Sequence, residues 1–248
     1  MSLGQHLLEL RRRLLFSGVA VVLGMVVGYL VSGYVWDGLR APVLAVAERH
    51  DASINYTNIT EAFDLKLQIA VTVGIVVSAP VWLYQVWAFI VPGLTKKERR
   101  YGFGFFFAAV PLFFAGCLAG WSVWPHIVEL MLGFAPAQET TFLSARSYLD
   151  FVLKLVLVVG VAFVLPVFLV LLNFAGVLSA ASILASWRIA ILTIVLFTAV
   201  ATPAADVFSM FLLAIPMVLL CLAAAAVAWI HDRRAARRNE ALGAGLPA

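Results

Sequence analysis

Two carboxylates, Glu9 and Glu98, stand among clustered cations, a setting in which either can hold a guanidinium group. Glu98 lies in Pro92-Gly93-Leu94-Thr95-Lys96-Lys97-Glu98-Arg99-Arg100. A carboxylate presented there can accept two parallel, charge-assisted hydrogen bonds from an incoming arginine. Thr95 and Glu98 also have capping-box spacing, so the same glutamate can equally close the start of a helix. Glu9 belongs to a stretch in which Leu3, Leu7, Leu10 and Leu14 form one stripe at helical spacing, with Gln5, Glu9, Arg12 and Arg13 opposite. This predicts an amphipathic helix over 2–13, lying on a membrane surface before it turns in, with Arg11 at the edge of its apolar sector. A basic membrane anchor accounts for the arginines as a group. It does not account for Glu9.

A second charged pair lies inside an apolar run. Asp150 precedes Lys154 by four residues, which puts both on one helical face. Lys154 either snorkels to the nearer surface or lines a polar cavity, since intramembrane charges usually face protein or water. Asp206 stands where it can cap a final helix. Enzyme motifs are missing: there is no Walker A sequence, no H-E-x-x-H and no G-x-S-x-G, and the four histidines are scattered. The chain is expected to be no enzyme, to need no cofactor or metal, and to bind no nucleic acid. Cys117 and Cys221 fall inside apolar runs and read as small buried hydrophobes.

The elements that must position these groups are membrane helices. Of 248 residues, 64% are hydrophobic and 12% charged, roughly half the charged share of a soluble domain. Six apolar stretches emerge at the length of a bilayer span. They run from Leu14 to Val35, from near Phe63 to Val91, from near Lys96 to about Leu132, from Tyr148 to Leu172, from Ile189 to Ala201, and from Val207 to Ile230. The fifth reaches only about 20 Å at helical rise, and the last two are expected to form a short pair that weakens the hydrophobic barrier. Each proline within a span, Pro80 among them, is expected to bend its helix. The domain prediction is one membrane unit over 1–230, with an outer cap loop over 37–61 containing Pro42, and a basic, disordered tail over 231–248.

Orientation follows from cation placement. With the N-terminus inside, 12 of the 17 Lys and Arg residues fall on the cytoplasmic side, from Arg11–Arg13, through Lys96–Arg100 and Arg188, to Arg233–Arg238. The prediction is an all-α polytopic protein of the cytoplasmic membrane, with six transmembrane helices and both termini in the cytosol.

At these positions the chain resembles the TatC family, the polytopic subunits of the twin-arginine protein translocase. The resemblance is carried by His6-Leu7-Leu8-Glu9-Leu10-Arg11-Arg12-Arg13 and by Ala79-Pro80-Val81-Trp82-Leu83-Tyr84-Gln85-Val86-Trp87-Ala88-Phe89-Ile90-Val91-Pro92-Gly93. It continues in Lys97-Glu98-Arg99-Arg100, Thr202-Pro203, Asp206-Val207-Phe208-Ser209 and Leu213-Ala214-Ile215-Pro216. The resemblance implies a receptor for the paired arginines of signal peptides on folded cargo. It implies single-span partners of the TatA and TatB type, self-association in a multimeric receptor complex, contact with membrane lipids, and export powered by the proton-motive force. By the same resemblance Glu98 is the main acceptor for the signal arginines and Glu9 a second, with Arg11, Phe89 and Arg99 shaping the patch. Pro42 and Pro80 take structural roles, and Asp206, Met210 and Pro216 mark the edge where partner helices dock. Val164, Met210 and Leu222 stand where the family often carries polar residues. The reading of a different class is a small-solute secondary transporter using Lys154 and Asp150, whose expected internal repeats are not evident.

Overall fold

In the computed structural model, residues 3–50, 53–90, 96–133, 142–174, 176, 178–201 and 207–243 are described. Side chains are described for these, except at 3, 5–6, 45–50, 53–54, 90, 96–103, 105, 131–133, 142–143 and 238–243. The described chain is helical apart from one short strand pairing. Its helices are α1 (Leu3–His50), α2 (Glu61–Val77), α3 (Ala79–Ile90), α4 (Lys96–Gly133), α5 (Ala145–Phe174), α6 (Ala180–Ala185), α7 (Trp187–Ala201) and α8 (Val207–Gly243). Strands β1 (Ser53–Asn55) and β2 (Phe142–Ser144) pair in parallel, Ile54 opposite Leu143.

Four of these helices are singly long and apolar enough to cross a membrane, and α2 with α3 forms a fifth candidate span bent by 54°. The bend falls where Pro80 lacks the N–H that would bond the Val76 carbonyl. Around it, the Ile75 carbonyl oxygen accepts the Trp82 indole N–H at 2.9 Å and the Ser78 hydroxyl at 3.3 Å. Such substitutes let a broken helix persist where no water can bond the backbone. Pro42, Pro111, Pro125, Pro166 and Pro216 lie inside helices that run on without a break, so of the prolines in helices only Pro80 divides one. The sixth stretch is α7, whose 15 residues span about 22 Å, short of a bilayer core of about 30 Å.

Three boundaries differ from expectation. The N-terminal amphipathic segment does not turn into the first span: α1 is one helix of 48 residues, continuing through Pro42 into the expected cap loop. One turn before Pro42, the Leu39 carbonyl oxygen accepts the Tyr148 hydroxyl at 2.5 Å, which holds that segment against α5. Only one of the last two helices is short, since α8 has 37 residues. The tail predicted to lose order is helical as far as Gly243, because alanine, arginine and glutamate are good helix formers and extending an existing helix avoids the cost of nucleation.

Close helix crossings organise the bundle. A Cβ on Gly28 would stand 2.5 Å from the Ala70 carbonyl oxygen, and one on Gly24 would stand 2.6 Å from that of Gly74. The Gly24-x-x-x-Gly28 face of α1 thus meets the Ala70-x-x-x-Gly74 face of α2, antiparallel and backbone to backbone. The same device joins α4 to α5, where a Cβ on Gly116 would meet the Val159 carbonyl oxygen at 2.8 Å and one on Gly120 would meet the Val156 Cα at 3.0 Å. α4 and α5 carry most of the core, including the fully buried Phe113, Trp124, Ile127, Leu149 and Leu155. By contrast only 11% of the apolar stretch of α1 is buried, against 50% for α5. α1 is therefore held largely by its glycine crossing, while α7 sits at the far edge, packed chiefly on α8.

These crossings place the starts of α1 and α4 and the ends of α3, α5 and α8 at one end of the bundle. That end carries the arginine clusters. The opposite end is tied by Glu61, the first residue of α2, which is 2% exposed. Its Oε1 accepts the Arg146 N–H at 3.1 Å in the first turn of α5; its Oε2 accepts the N–H groups of Thr57 and, at 3.2 Å, Asn58. One carboxylate thus satisfies donors of a helix N-terminus and of the preceding turn, with favourable helix polarity. Glu61→Ala is expected to lower the melting temperature in detergent on the order of 5–10 °C. Glu61→Gln should fall between, since its amide turns a donor toward a donor. A Glu61→Ala protein melting with wild type would show that the clamp carries no weight.

Candidate functional site

At the basic end, α1 and α3 bring Glu9, Arg13 and Gln85 together. The Arg13 Nη2 donates to Glu9 Oε1 at 2.5 Å and its Nε to the same oxygen at 3.1 Å, while its Nη1 donates to Gln85 Oε1 at 3.3 Å. Both bonds that Arg13 gives Glu9 fall on Oε1, and Oε2 takes none from a described residue. Arg13 therefore holds the carboxylate in place without using up its capacity to accept. Both side chains are about three-quarters covered, 22% exposed for Arg13 and 24% for Glu9. In a partly buried site of this kind, a charge pair is screened less than on an open surface.

Beside the pair is a half-open hollow of about 480 Å³ lined by Leu8, Glu9, Arg12, Arg13, Phe16 and Gln85. The Arg12 guanidinium carbon stands 5.7 Å from the centroid of Phe16, a cation–π contact that keeps it off the carboxylate. The hollow combines one fixed acid, a polar amide and an apolar flank with the guanidinium groups of Arg12 and Arg13.

The other predicted members are distributed as follows. Arg11 is exposed on α1, and Phe89 is half-buried near the end of α3. Glu98 and Arg99 lie in the first turn of α4, and their side chains fall outside the described residues, as does Thr95. Pro42 and Pro80 are half-buried in α1 and α3. Met210 and Pro216 are half-buried on α8, whereas Asp206 lies outside the described residues. Val164 is buried at 2% exposure, and Leu222 is exposed at 54%.

Lys154 is 70% exposed along its side chain and sits on Asp150 Oδ2, while Asp150 Oδ1 accepts Gln68 Nε2 from α2 at 2.7 Å. Neither Lys154 nor Asp150 lines the hollow beside Glu9, nor those between α4, α5 and α8 and between α5, α6 and α7. Among the described residues no group of His, Cys, Asp and Glu could hold a metal ion.

Sequence reasoning missed Gln85 as a site member, and it missed two polar ties outside the site. The i,i+4 spacing of Glu9 and Arg13 was a usable signal for their pairing. Nothing local marks Gln85, which is 72 residues from Arg13. Nor does anything local mark Asp232, which receives the Ala180 N–H at 2.7 Å and Asn173 Nδ2 at 3.0 Å, joining α8 to α6 and α5.

Long apolar helices, a proline-bent span and a charged hollow at one end define a polytopic membrane protein of the all-α class. A family model described as Sec-independent protein translocase protein (TatC) matches residues 5–216. The chain belongs to the TatC family and is a component of the Tat protein-translocation machinery. It is 44% identical over 241 residues to the Sec-independent protein translocase protein TatC of Xylanimonas cellulosilytica, covering 96% of this chain and 87% of that one. It is 35% identical over 223 residues to the Aquifex aeolicus TatC, covering 89% of this chain and 91% of that one. A crystal structure titled twin arginine translocase receptor TatC superposes with a TM-score of 0.75 at 32% identity, covering 91% of this chain and 98% of that chain. A second, in the detergent DDM, gives 0.77 at 31% identity, covering 90% and 99%.

Proposed function

We propose that this protein is the signal-peptide receptor of a twin-arginine translocase, working from the cytosolic face of the cytoplasmic membrane with both termini in the cytosol. The orientation rests on the twelve cations gathered at the end where α1 begins and α8 finishes. The observation that carries the function is the Glu9 carboxylate, fixed through Oε1 and open at Oε2, at the end of the bundle where α4 carries Glu98 in its first turn.

The arriving arginine pair is captured by charge-assisted bonds, Glu98 taking the larger share and Glu9 the smaller. Arg11, Phe89 and Arg99 shape the patch. The surrounding cations disfavour peptides whose positive charge is not placed to meet a carboxylate. Once the arginines are anchored, the apolar stretch of the signal enters the membrane between spans. Single-span partners of the TatA and TatB type gather along the α7–α8 edge, near Asp206, Met210 and Pro216. There the short α7 thins the barrier. Export of folded cargo then draws on the proton-motive force within a self-associated complex, and the chain itself catalyses no bond chemistry.

A photoreactive residue at position 98 tests the reading. Irradiation with a twin-arginine signal peptide should give a crosslinked adduct at 98, competed by unlabelled peptide and absent with a twin-lysine analogue. Equal labelling by both peptides would remove the proposed selectivity. Labelling of position 98 by an impermeant reagent added from the non-cytosolic side would place the site where no signal can reach it.

A further inference from the structure

A second hollow lies between α4, α5 and α8, with Gly104, Ala108, Pro166, Phe174, Ala224 and Val227 on its walls. Its walls are apolar, and its volume is about 390 Å³. The depth comes from small residues: Gly104 and Ala108 on α4 face Ala223 and Ala224 on α8, and a Cβ on Gly104 would meet nothing within 4 Å. From Pro166 to Phe174 the hollow runs along α5 for about 12 Å at helical rise. The slot is apolar along its length and open on one side, which suits an acyl chain entering from the bilayer.

Gly104 near the start of α4 and Phe174 at the end of α5 place one end of the hollow at the basic end of the bundle. Phe174 packs on His231 with ring centroids 4.4 Å apart. Continuing along α8 from Val227, the same face carries His231 and then Arg234, with Arg237 one turn further. Arg234 and Arg237 are exposed and enter no ion pair with a described residue. The nearby acid, Asp232, is already engaged by Ala180 and Asn173. Arg233 is turned aside, 5.0 Å from the Trp229 ring.

We propose that this hollow is a binding site for an anionic phospholipid, with one acyl chain between α4, α5 and α8 and the headgroup phosphate against Arg234 and Arg237. A basic mouth above an apolar slot between membrane helices is the arrangement that retains acidic lipids, each cation near the surface adding to the attraction. The helical extension of α8 to Gly243 has a purpose on this reading, since it carries the two arginines to headgroup height.

The test is native mass spectrometry of the full chain in detergent, titrated with dioleoyl phosphatidylglycerol or with dioleoyl phosphatidylcholine. The wild type should retain one phosphatidylglycerol, about 30-fold more tightly than phosphatidylcholine if two surface cations act. Gly104→Leu fills the slot and should lose that first site. Arg234→Gln with Arg237→Gln should bind both lipids alike. Gly104→Leu has open space for its side chain, and Ala223→Leu, from the exposed wall, gives an independent block should the first fail to fold. In the wild type, a phosphatidylglycerol with a diazirine on its acyl chain should label the peptides containing Gly104 or Ala223. Unchanged lipid retention in both leucine variants, equal affinity for the two headgroups, or labelling elsewhere would overturn the site. Displacement of the probe by the apolar stretch of a signal peptide, with crosslinking of that peptide to position 104, would assign the slot to the peptide instead.

Discussion

Glu98→Lys is expected to abolish binding of a twin-arginine peptide while leaving a twin-lysine peptide no worse bound than before. Two terms add in the same direction. The bidentate acceptor is lost, and a sixth positive charge joins Arg11, Lys96, Lys97, Arg99 and Arg100. Truncating one partner of a hydrogen-bonded charge pair costs about 2–5 kcal/mol, which is roughly 30- to several-thousand-fold in affinity. Glu9→Gln should cost less, because Glu9 shares Oε1 with Arg13 before any ligand arrives. Fluorescence anisotropy with labelled peptides in detergent reads both numbers. Twin-arginine affinity in Glu98→Lys equal to that of wild type would leave α4 without a role in capture. The capping-box role of Glu98 would then stand alone.

The second large effect is on folding. Gly28→Leu puts a side chain where the Ala70 carbonyl oxygen and Cα lie 2.5 and 2.9 Å from the new Cβ. Both are backbone atoms, so no rotamer relieves the contact and α1 must move away from α2. Overpacking of this kind costs about 1–3 kcal/mol, occasionally more. With only 11% of its apolar stretch buried, α1 has little other packing to offset a loss at its closest crossing. Gly18→Leu on the same helix is the control, since a Cβ there meets nothing within 4 Å and leucine is the better helix former. Thermal unfolding in detergent should separate the two variants clearly. If Gly28→Leu melted together with Gly18→Leu, the crossing would not be what secures α1.

The displacement of α1 bears on the site as well. Glu9 and Arg13 share α1 and their pair travels with it, whereas the bond from Arg13 to Gln85 on α3 forms only while α1 stays in register. The glycine crossing at Gly24 and Gly28 is thus a remote determinant of where the carboxylate stands relative to α3. A weakened crossing should lower peptide affinity through Glu9 even though no site residue changes.

Much of this architecture is legible in the chain because its causes are local. Apolar runs long enough for a bilayer announce spans wherever they lie. Pro80 announces a break through its missing N–H, and Asp150 and Lys154 announce their pairing through helical spacing. The clustering of arginines follows from counting. Pro42, Pro111 and Pro125 do not interrupt α1 and α4, because the flanking residues propagate the helix on either side. Local reading underestimates helices at the water interface, as α8 beyond His231 demonstrates.

The sequence alone therefore determined that the chain is a bundle of membrane helices, which end of it is basic, and which acids stand among the cations, because composition and 3.6-residue periodicity act within a single segment. Only the tertiary structure decided that Arg13 holds Glu9 toward Gln85, that Glu61 ties α5 to the turn before α2, that Gly24 and Gly28 meet Ala70 and Gly74, and that small residues of α4 and α8 leave a slot open. Each of those depends on backbone approach between segments distant in sequence. That approach is set by packing of whole faces, for which no single stretch of the chain carries the instruction.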